Sequence, residues 1–134
     1  MRTQAGKAEL FLSLHHGPEP LLLPNPWDVG SAKLLASLGF AALATTSGGF
    51  AATLGRLDGS VTRDEAISHA AALAAATDLP VSAGVRRVSV GSAFAFAALG
   101  AVAEAAHELR EQGTYGFLDR AAAGRCAARA AFTT

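Results

Sequence analysis

Short apolar runs alternate with longer stretches of helical spacing along most of the chain. Each run is short enough for a strand buried on both faces. The predicted strands are residues 21–23, 41–46, 81–83 and 88–90. Helical spacing of apolar positions predicts helices over residues 3–14, 29–38, from 63 onward, and 93–112. Strands that alternate with helices through short connections predict an α/β fold with a parallel sheet, with ligand-binding groups at the carboxyl ends of its strands.

Polar residues mark where the predicted helices begin. Asp28 is the expected N-cap of the second helix. Thr62 and Glu65 form a capping box, in which each side chain bonds the backbone N–H of the other residue. Ser92 is the expected N-cap of the long helix, which Gly113 should end.

The same spacing predicts which side chains of the later helices are buried. The inward positions are Ile67, Ala70, Leu73 and Ala74 on one helix, and Phe96, Leu99, Ala103, Ala106 and Leu109 on the long helix. Residues 47–60 are expected to form a loop. Residues 120–134 consist mainly of Ala and Arg with little periodic pattern, so we expect an irregular or frayed tail.

Composition narrows the class of protein. Hydrophobic residues make up 51% of the 134 positions, charged residues make up 16%, and the formal net charge is zero. A neutral chain with no block of like charges argues against a nucleic-acid or membrane partner and favours a small neutral or anionic metabolite. No segment is typical of a signal peptide or a membrane span, so we expect a cytoplasmic protein. The single cysteine, Cys126, excludes an internal disulfide. The histidines lack partners at metal-ligand spacing and are interpreted as solvated or packed: His15, His16, His69 and His107.

Several motifs, in order, carry a family resemblance. They are PNPWDVGSA at residues 24–32, ATTSGGF at residues 44–50 and LGRLDGSVTRDE at residues 54–65. From about residue 9 to residue 83 the chain resembles the isocitrate lyase and phosphoenolpyruvate mutase family. The likeness resumes with GVRRVSVGS at residues 84–92 and continues to about residue 119.

The resemblance implies a (β/α)8 barrel, usually oligomeric, that binds Mg²⁺ and acts on a 2-oxo or dicarboxylic acid. Such enzymes make or break a C–C or P–C bond through an enolate-like intermediate, whose negative charge the metal and backbone N–H groups stabilise. Matching positions assign substrate binding to Thr46, Ser47, Gly48 and Gly49, and a catalytic carboxylate to Asp58. Taken locally, an Asp-Gly pair and a Ser-Gly-Gly run are more often ordinary turns.

The chain departs from the family pattern near residue 84. An eight-unit barrel takes about 250 residues, whereas this chain has 134 and presents about four β/α units, the first three and the last. We therefore predict a partial TIM barrel over residues 1–119 with a non-native join, followed by a tail over residues 120–134. Arg86 and Arg87 stand where the family has acidic metal ligands, so no metal ligand is predicted although Mg²⁺ is the family's cofactor.

The join is also too short for a barrel crossover. Four residues separate Ala83 from Val88, whereas a parallel return needs a dozen or more. We expect a local change of topology or pairing with another copy, and exposed strand edges that favour a homo-oligomer or aggregation. Two functions stay open. One is a lyase or phosphonomutase of this family with impaired activity; the other is a catalytically dead remnant that acts as an oligomerising or interaction domain.

Overall fold

The computed structural model describes residues 2–82 and 88–133, which form a mostly helical α/β fold with a small amount of sheet. The elements within these ranges are α1 (Gln4–His15), β1 (Leu22–Leu23), α2 (Val29–Ser37), β2 (Leu43–Ala44), α3 (Ser47–Thr53), α4 (Arg63–Ala76), β3 (Val81–Ser82), β4 (Val88–Ser89), α5 (Ala93–Gln112) and α6 (Leu118–Phe132). The four predicted strands are all present, each shortened to two residues, so the predicted α/β alternation is confirmed.

The strands form two parallel pairs, β1 with β4 and β2 with β3. The registers are Leu22 with Val88, Leu23 with Ser89, Leu43 with Val81, and Ala44 with Ser82. A backbone hydrogen bond of 3.0 Å from the Ala44 N–H to the Pro24 carbonyl connects β2 to the end of β1. Strand β4 therefore lies beside β1, although the two are far apart in sequence. The predicted change of topology at the join falls on residues 83–87, which lie outside the described residues.

Strand β2 contributes to two apolar clusters because successive side chains of a strand point to opposite faces. The clusters are Leu43 with Ala32, Leu35 and Leu73, and Ala44 with Leu21, Leu23 and Ala42. Leu43 and Leu73 are fully buried between α2, α4 and the strands. Phe11 and Leu14 of α1 pack on the other cluster. Helices therefore cover both faces of β2, and the predicted burial of Leu73 is confirmed.

The predicted starts of α2 and α4 are confirmed. The Asp28 carboxylate accepts a 2.7 Å hydrogen bond from the Ser31 N–H, and Ser31 Oγ accepts one of 3.1 Å from the Asp28 N–H. Thr62 Oγ1 accepts from the Glu65 N–H and Glu65 Oε2 accepts from the Thr62 N–H, which completes the capping box. Ser92 occupies the N-cap position of α5 but makes no side-chain cap bond, so that part of the prediction is wrong.

Helix α5 is exposed where the sequence predicted burial. Phe96 and Leu99 are 53% and 50% exposed, and within α5, all of which the structure describes, Ala95 is the buried residue. Helical spacing identifies an apolar face but not a surface to cover it, and strands of two residues offer little sheet. The other exposed positions that were predicted to be buried are Ala103, Ala106 and Leu109 of α5 and Ile67 of α4. The helix does end at Gly113, whose φ of 66° is the predicted left-handed stop.

Most of residues 120–134 belong to α6, so the expectation of an irregular tail is wrong. Alanine has the highest helix propensity of the amino acids, and an Ala-rich segment therefore forms a helix without an amphipathic pattern. Helix α6 packs against α2, where the Phe132 ring approaches Gly30. The division of the chain at residue 119 into a barrel domain and a tail stays a prediction. Neither α6 nor any other helix within residues 2–82 and 88–133 is long and apolar enough to cross a membrane.

Candidate functional site

The predicted substrate-binding residues lie at the carboxyl end of β2, where α3 begins. Thr46 is the N-cap of α3, and its Oγ1 accepts a 3.2 Å hydrogen bond from the Gly49 N–H. Ser47 and Gly48 occupy the first turn of the helix, where backbone N–H groups have no carbonyl partner within the helix. The expectation of a loop from residue 47 is therefore wrong for Ser47–Thr53. The Thr46 cap starts the helix there, although Gly48 and Gly49 have low helix propensity.

The side chain of Asp58 lies beside the first residue of α3. Ser47 Oγ donates a 2.8 Å hydrogen bond to Asp58 Oδ1, and the Gly59 N–H donates to the same oxygen at 2.9 Å. Gly59 has a φ of 84°, so the Asp-Gly pair does form a turn. The turn and the site are compatible because the turn presents the carboxylate to Ser47.

Gly48 is the point of closest approach in this group. A Cβ atom at Gly48 would lie 3.1 Å from Ser92 Oγ and 3.2 Å from both Cγ and Oδ2 of Asp58. Glycine therefore lets a carboxylate and a hydroxyl approach the backbone of α3. Ser92 was predicted only as a helix cap. Its place here follows from the pairing of β4 with β1, which brings the residues after β4 to the same edge as the residues after β1 and β2.

Gly49 is closely packed by its neighbours. A Cβ atom there would lie 2.8 Å from Thr46 Cγ2, 3.0 Å from Trp27 Cβ and 3.2 Å from Ala95 Cβ. The small residue lets α3 pack directly against the β1–α2 connection and α5. Gly49 thus holds the first turn of α3 in place.

Buried polar side chains connect the ends of β1 and β2. Asn25 is 3% exposed, and its Nδ2 donates a 3.2 Å hydrogen bond to the Thr45 carbonyl. His69 of α4 places Nε2 3.0 Å from the Trp27 carbonyl and stacks on Phe50 at a centroid distance of 4.0 Å. Burial lowers the pKa of His69, and the hydrogen bond to Trp27 and the negative charge of Asp28 partly oppose that shift. Spacing along the chain gave no sign of this role.

An ion pair stabilises the loop that carries Asp58. Arg56 Nη1 lies 2.9 Å from Glu65 Oε1, so the loop is tied to the first turn of α4. The pKa of Glu65 is lowered, chiefly by the Thr62 N–H and then by Arg56. Asp58 is thus positioned from both ends, by Ser47 on one side and by this pair on the other.

A cavity of about 280 Å³ lies beside this group, between the carboxyl end of β2 and the first turns of α4. Polar groups from both elements line it, including Thr45, Ser47, Arg63 and His69. Apolar contacts come from Ile67 and Ala70. Its lining therefore combines a few polar groups with a larger apolar surface, and the cavity is open to solvent on one side.

Magnesium is the metal that the resemblance implies. Magnesium prefers six oxygen ligands, commonly one or two carboxylates together with water and substrate. Within residues 2–82 and 88–133, no three Asp, Glu, His or Cys side chains group closely enough to hold a metal ion. The described side chains do not fit a metal site built by the protein alone. Arg86 and Arg87 lie outside the described residues.

Comparison with known families shows which family the chain belongs to. The sequence model of the phosphoenolpyruvate phosphomutase family matches residues 11–83, more than half of the chain. The chain belongs to the isocitrate lyase and phosphoenolpyruvate mutase family. The match includes the N-terminus of α3 and Asp58.

Relatives of this family member are known by sequence and by structure. Two curated proteins from Mycobacterium tuberculosis strains H37Rv and CDC 1551, both uncharacterized, are 48% identical over 65 residues; the match covers 48% of this chain and 25% of theirs. The chain therefore aligns with about a quarter of the length of these relatives. A crystal structure of a candidate phosphonomutase from Burkholderia cenocepacia J2315 is 42% identical, with a TM-score of 0.53 over 57% of this chain and 32% of that one.

A second crystal structure matches this family member over most of its length. It is that of a candidate lyase/mutase from Burkholderia cenocepacia J2315, with a TM-score of 0.87 and 25% identity. The match covers 94% of this chain and 96% of that chain. A crystallised chain of about the same extent therefore has a similar fold.

Proposed function

We propose that this chain binds a small 2-oxo or dicarboxylic acid at the N-terminus of α3, as a lyase or phosphonomutase of its family would. The observation that carries the proposal is the contact between Ser47 and Asp58 across Gly48, where a side chain on the glycine would be too close to both Asp58 and Ser92. A carboxylate that accepts a hydrogen bond from a hydroxyl at the first turn of a helix is suited to proton transfer at a carbon next to a bound carbonyl.

In this proposal each residue of the site has a distinct role. Thr46 fixes the first turn of α3, and Ser47 and Gly48 offer N–H groups and a hydroxyl to the oxygens of the acid. Asp58 accepts the proton from the carbon next to the substrate carbonyl, and the electron pair of the broken C–H bond moves to the carbonyl oxygen, giving an enolate-like intermediate. Gly49 permits the packing that holds these groups together. The elements around them are proposed to be the first three units and the last unit of a partial TIM barrel.

We further propose that catalysis is weak or absent. An enolate-like intermediate needs its negative charge stabilised, and the family would use Mg²⁺ for this purpose. Among the described residues Asp58 has no companion acidic groups that could complete a metal site. Binding of the acid and its turnover are therefore expected to be separable in this chain.

Calorimetric titration with oxaloacetate, methylisocitrate and phosphonopyruvate, with and without Mg²⁺ or Mn²⁺, tests this proposal. Asp58→Asn removes the charge but keeps the shape, and it should weaken binding at least several-fold. Asp64→Asn is the matched control, because Asp64 is an exposed carboxylate on the first turn of α4. Equal loss in both variants, or no binding of any of these acids to the unaltered chain, would contradict the proposal.

The exposed face of α5 favours a second candidate function, a catalytically dead remnant that acts as an oligomerising domain. Phe96, Leu99 and Val102 are each half or more exposed on this helix. Apolar surface of this kind commonly marks an interface. Sedimentation velocity would show a homo-oligomer that Val102→Glu dissociates, whereas Glu104→Gln on the same helix should leave it intact. A chain that sediments as a monomer at all concentrations would exclude this candidate.

A further inference from the structure

Lys7 is a buried cation without an acidic partner. It belongs to α1 and is 6% exposed. Its Nζ donates two hydrogen bonds of 2.5 Å, to the carbonyl oxygens of Ala74 and Thr77, where α4 ends. Lysine is almost never fully buried unless it is paired, yet none of the ion pairs within residues 2–82 and 88–133 includes Lys7. The charge therefore lacks a counter-ion among the described residues.

The two carbonyl groups leave part of this charge uncompensated. The carboxyl-terminal end of a helix carries roughly half of a negative elementary charge, whereas an ammonium group carries a full positive charge and three N–H donors. Ala74 and Thr77 accept two of these donors. The third does not bond the Thr77 hydroxyl, because Thr77 Oγ1 is enclosed and has no partner among the described residues. One N–H and a net positive charge are thus left for another acceptor.

A cavity of about 280 Å³ borders Lys7. It lies between α1 and the start of β3. Because β3 runs parallel to β2, this is the opposite end of the strands from the candidate functional site. Apolar and polar side chains line the cavity together with Lys7, among them Phe11, Pro80, Val81, Gln4 and Ser82. The cavity therefore places an apolar wall next to an unpaired cation.

We propose that this cavity binds a small apolar monocarboxylate, with an aromatic ring or a short hydrocarbon chain as its body. A carboxylate oxygen accepts the third N–H of Lys7 and supplies the missing negative charge. The apolar body contacts Phe11, Pro80 and Val81. A bare halide ion would leave this wall in contact with water, so the lining favours an anion that carries hydrocarbon. The site shares no residue with the candidate functional site, and the inference does not rest on the proposed function.

Benzoate and benzamide are the probes that test it. They share a ring and a similar shape, but benzoate alone carries a negative charge at pH 7. In calorimetric titrations benzoate should bind at least about tenfold more tightly than benzamide, as expected for a hydrogen bond between charged groups. Chloride has the charge without the apolar body, and it should displace benzoate only at much higher concentrations.

The lysine content of the chain allows the bound anion to be located. Lys7 and Lys33 are its two lysines, so lysine labelling gives one signal for each. With ¹³Cε and ¹⁵Nζ labels, NMR should show that benzoate shifts the Lys7 signal saturably and leaves the Lys33 signal in place. The concentration that gives half of the shift should equal the dissociation constant from calorimetry.

A pair of variants tests the role of the charge. Lys7→Met removes the ammonium group but keeps an unbranched side chain, so benzoate should lose its roughly tenfold preference over benzamide. Lys33→Met is the matched control, since Lys33 lies on α2 and does not line the cavity. Lys7→Met also loses both hydrogen bonds to the end of α4. If it does not fold, the probe preference and the Lys7 signal of the unaltered chain still decide.

Three outcomes would overturn the proposal. The first is equal affinity for benzoate and benzamide, or no binding of benzoate at millimolar concentrations. The second is a Lys7 signal that stays in place while benzoate binds, because the anion would then lie elsewhere. The third is chloride binding as tight as that of benzoate, because the apolar wall would then contribute nothing. A benzoate preference that Lys7→Met removes and Lys33→Met keeps supports the proposal.

Discussion

Helices α4, of 14 residues, and α5, of 20 residues, are buried to very different extents. Helix α4 and the strands before it enclose Leu43 and Leu73 completely, whereas α5 leaves Phe96 and Leu99 about half exposed. Both helices carry apolar side chains at helical spacing. The difference lies in what surrounds them, because α4 meets α2 and β3 while α5 meets chiefly the short helix α3. A helix is stabilised by the surface that it covers more than by its own pattern.

The largest expected effect comes from removing a core side chain on one side of this comparison. Leu73→Ala should lower the free energy of unfolding by about 2–5 kcal/mol, because it leaves a cavity among fully buried neighbours. Leu99→Ala removes the same atoms from α5 and should cost less than about 1 kcal/mol, because half of that side chain is already in water. Urea unfolding of both variants measures the difference. Equal destabilisation would show that α5 is packed as tightly as α4.

Removal of the N-cap side chains of α4 and α5 should lower stability by a smaller amount, again more for α4 than for α5. Thr62→Ala should cost about 1 kcal/mol, since it removes the hydrogen bond to the Glu65 N–H and half of the capping box. Ser92→Ala should cost less than about 0.5 kcal/mol, because Ser92 makes no cap bond. Thermal unfolding followed by circular dichroism compares the two. A Ser92→Ala variant as unstable as Thr62→Ala would mean that the Ser92 hydroxyl is held by other contacts.

Local signals in the sequence were sufficient for some of the fold and not for the rest. The caps at Asp28 and Thr62 could be predicted because each depends on residues three positions apart. The exposure of α5 could not, since periodicity does not say whether a partner surface exists. Helix α6 was missed because its alanines form a helix by propensity alone, with no apolar stripe.

The candidate site could likewise be predicted only in part from the sequence. Ser47 and Asp58 are eleven residues apart, and family motifs placed both in one site; the structure shows them in direct contact. Ser92 and His69 could not be predicted as their neighbours. Ser92 reaches Gly48 through the pairing of strands that are distant in sequence, and His69 reaches the Trp27 carbonyl across 42 residues. Pairing of β1 with β4 determines the first contact, packing of α4 beside the segment after β1 determines the second, and neither leaves a local signal in the sequence.

Glycine within α5 allows a stabilising test. Gly100 lies inside the helix, and nothing comes within 4 Å of a Cβ atom built there. Gly100→Ala should therefore raise the free energy of unfolding by about 0.5–1 kcal/mol through helix propensity. Gly48→Ala in α3 is the contrasting change, because the new methyl group would press on Asp58 and Ser92. Denaturant unfolding should show opposite signs for the two, and a Gly100→Ala variant that destabilises would mean that this face of α5 is covered in solution.

The smallest expected effect is a pH dependence that arises from His69. Its folded-state pKa is lowered by burial, so below about pH 6.5, the ordinary histidine value, the unfolded chain binds protons that the folded chain resists. Stability should therefore be complete above this pH and decline as the pH falls through the window between the unfolded and folded values. The hydrogen bond to Trp27 and the charge of Asp28 oppose burial, which keeps the decline small. Unfolding curves between pH 5 and pH 8 should show the decline in the unaltered chain and in His107→Gln, and its absence in His69→Gln. His69 is buried on α4 and His107 is exposed on α5, so only the first substitution should change the pH dependence. A decline that persists in His69→Gln would mean that another group causes it.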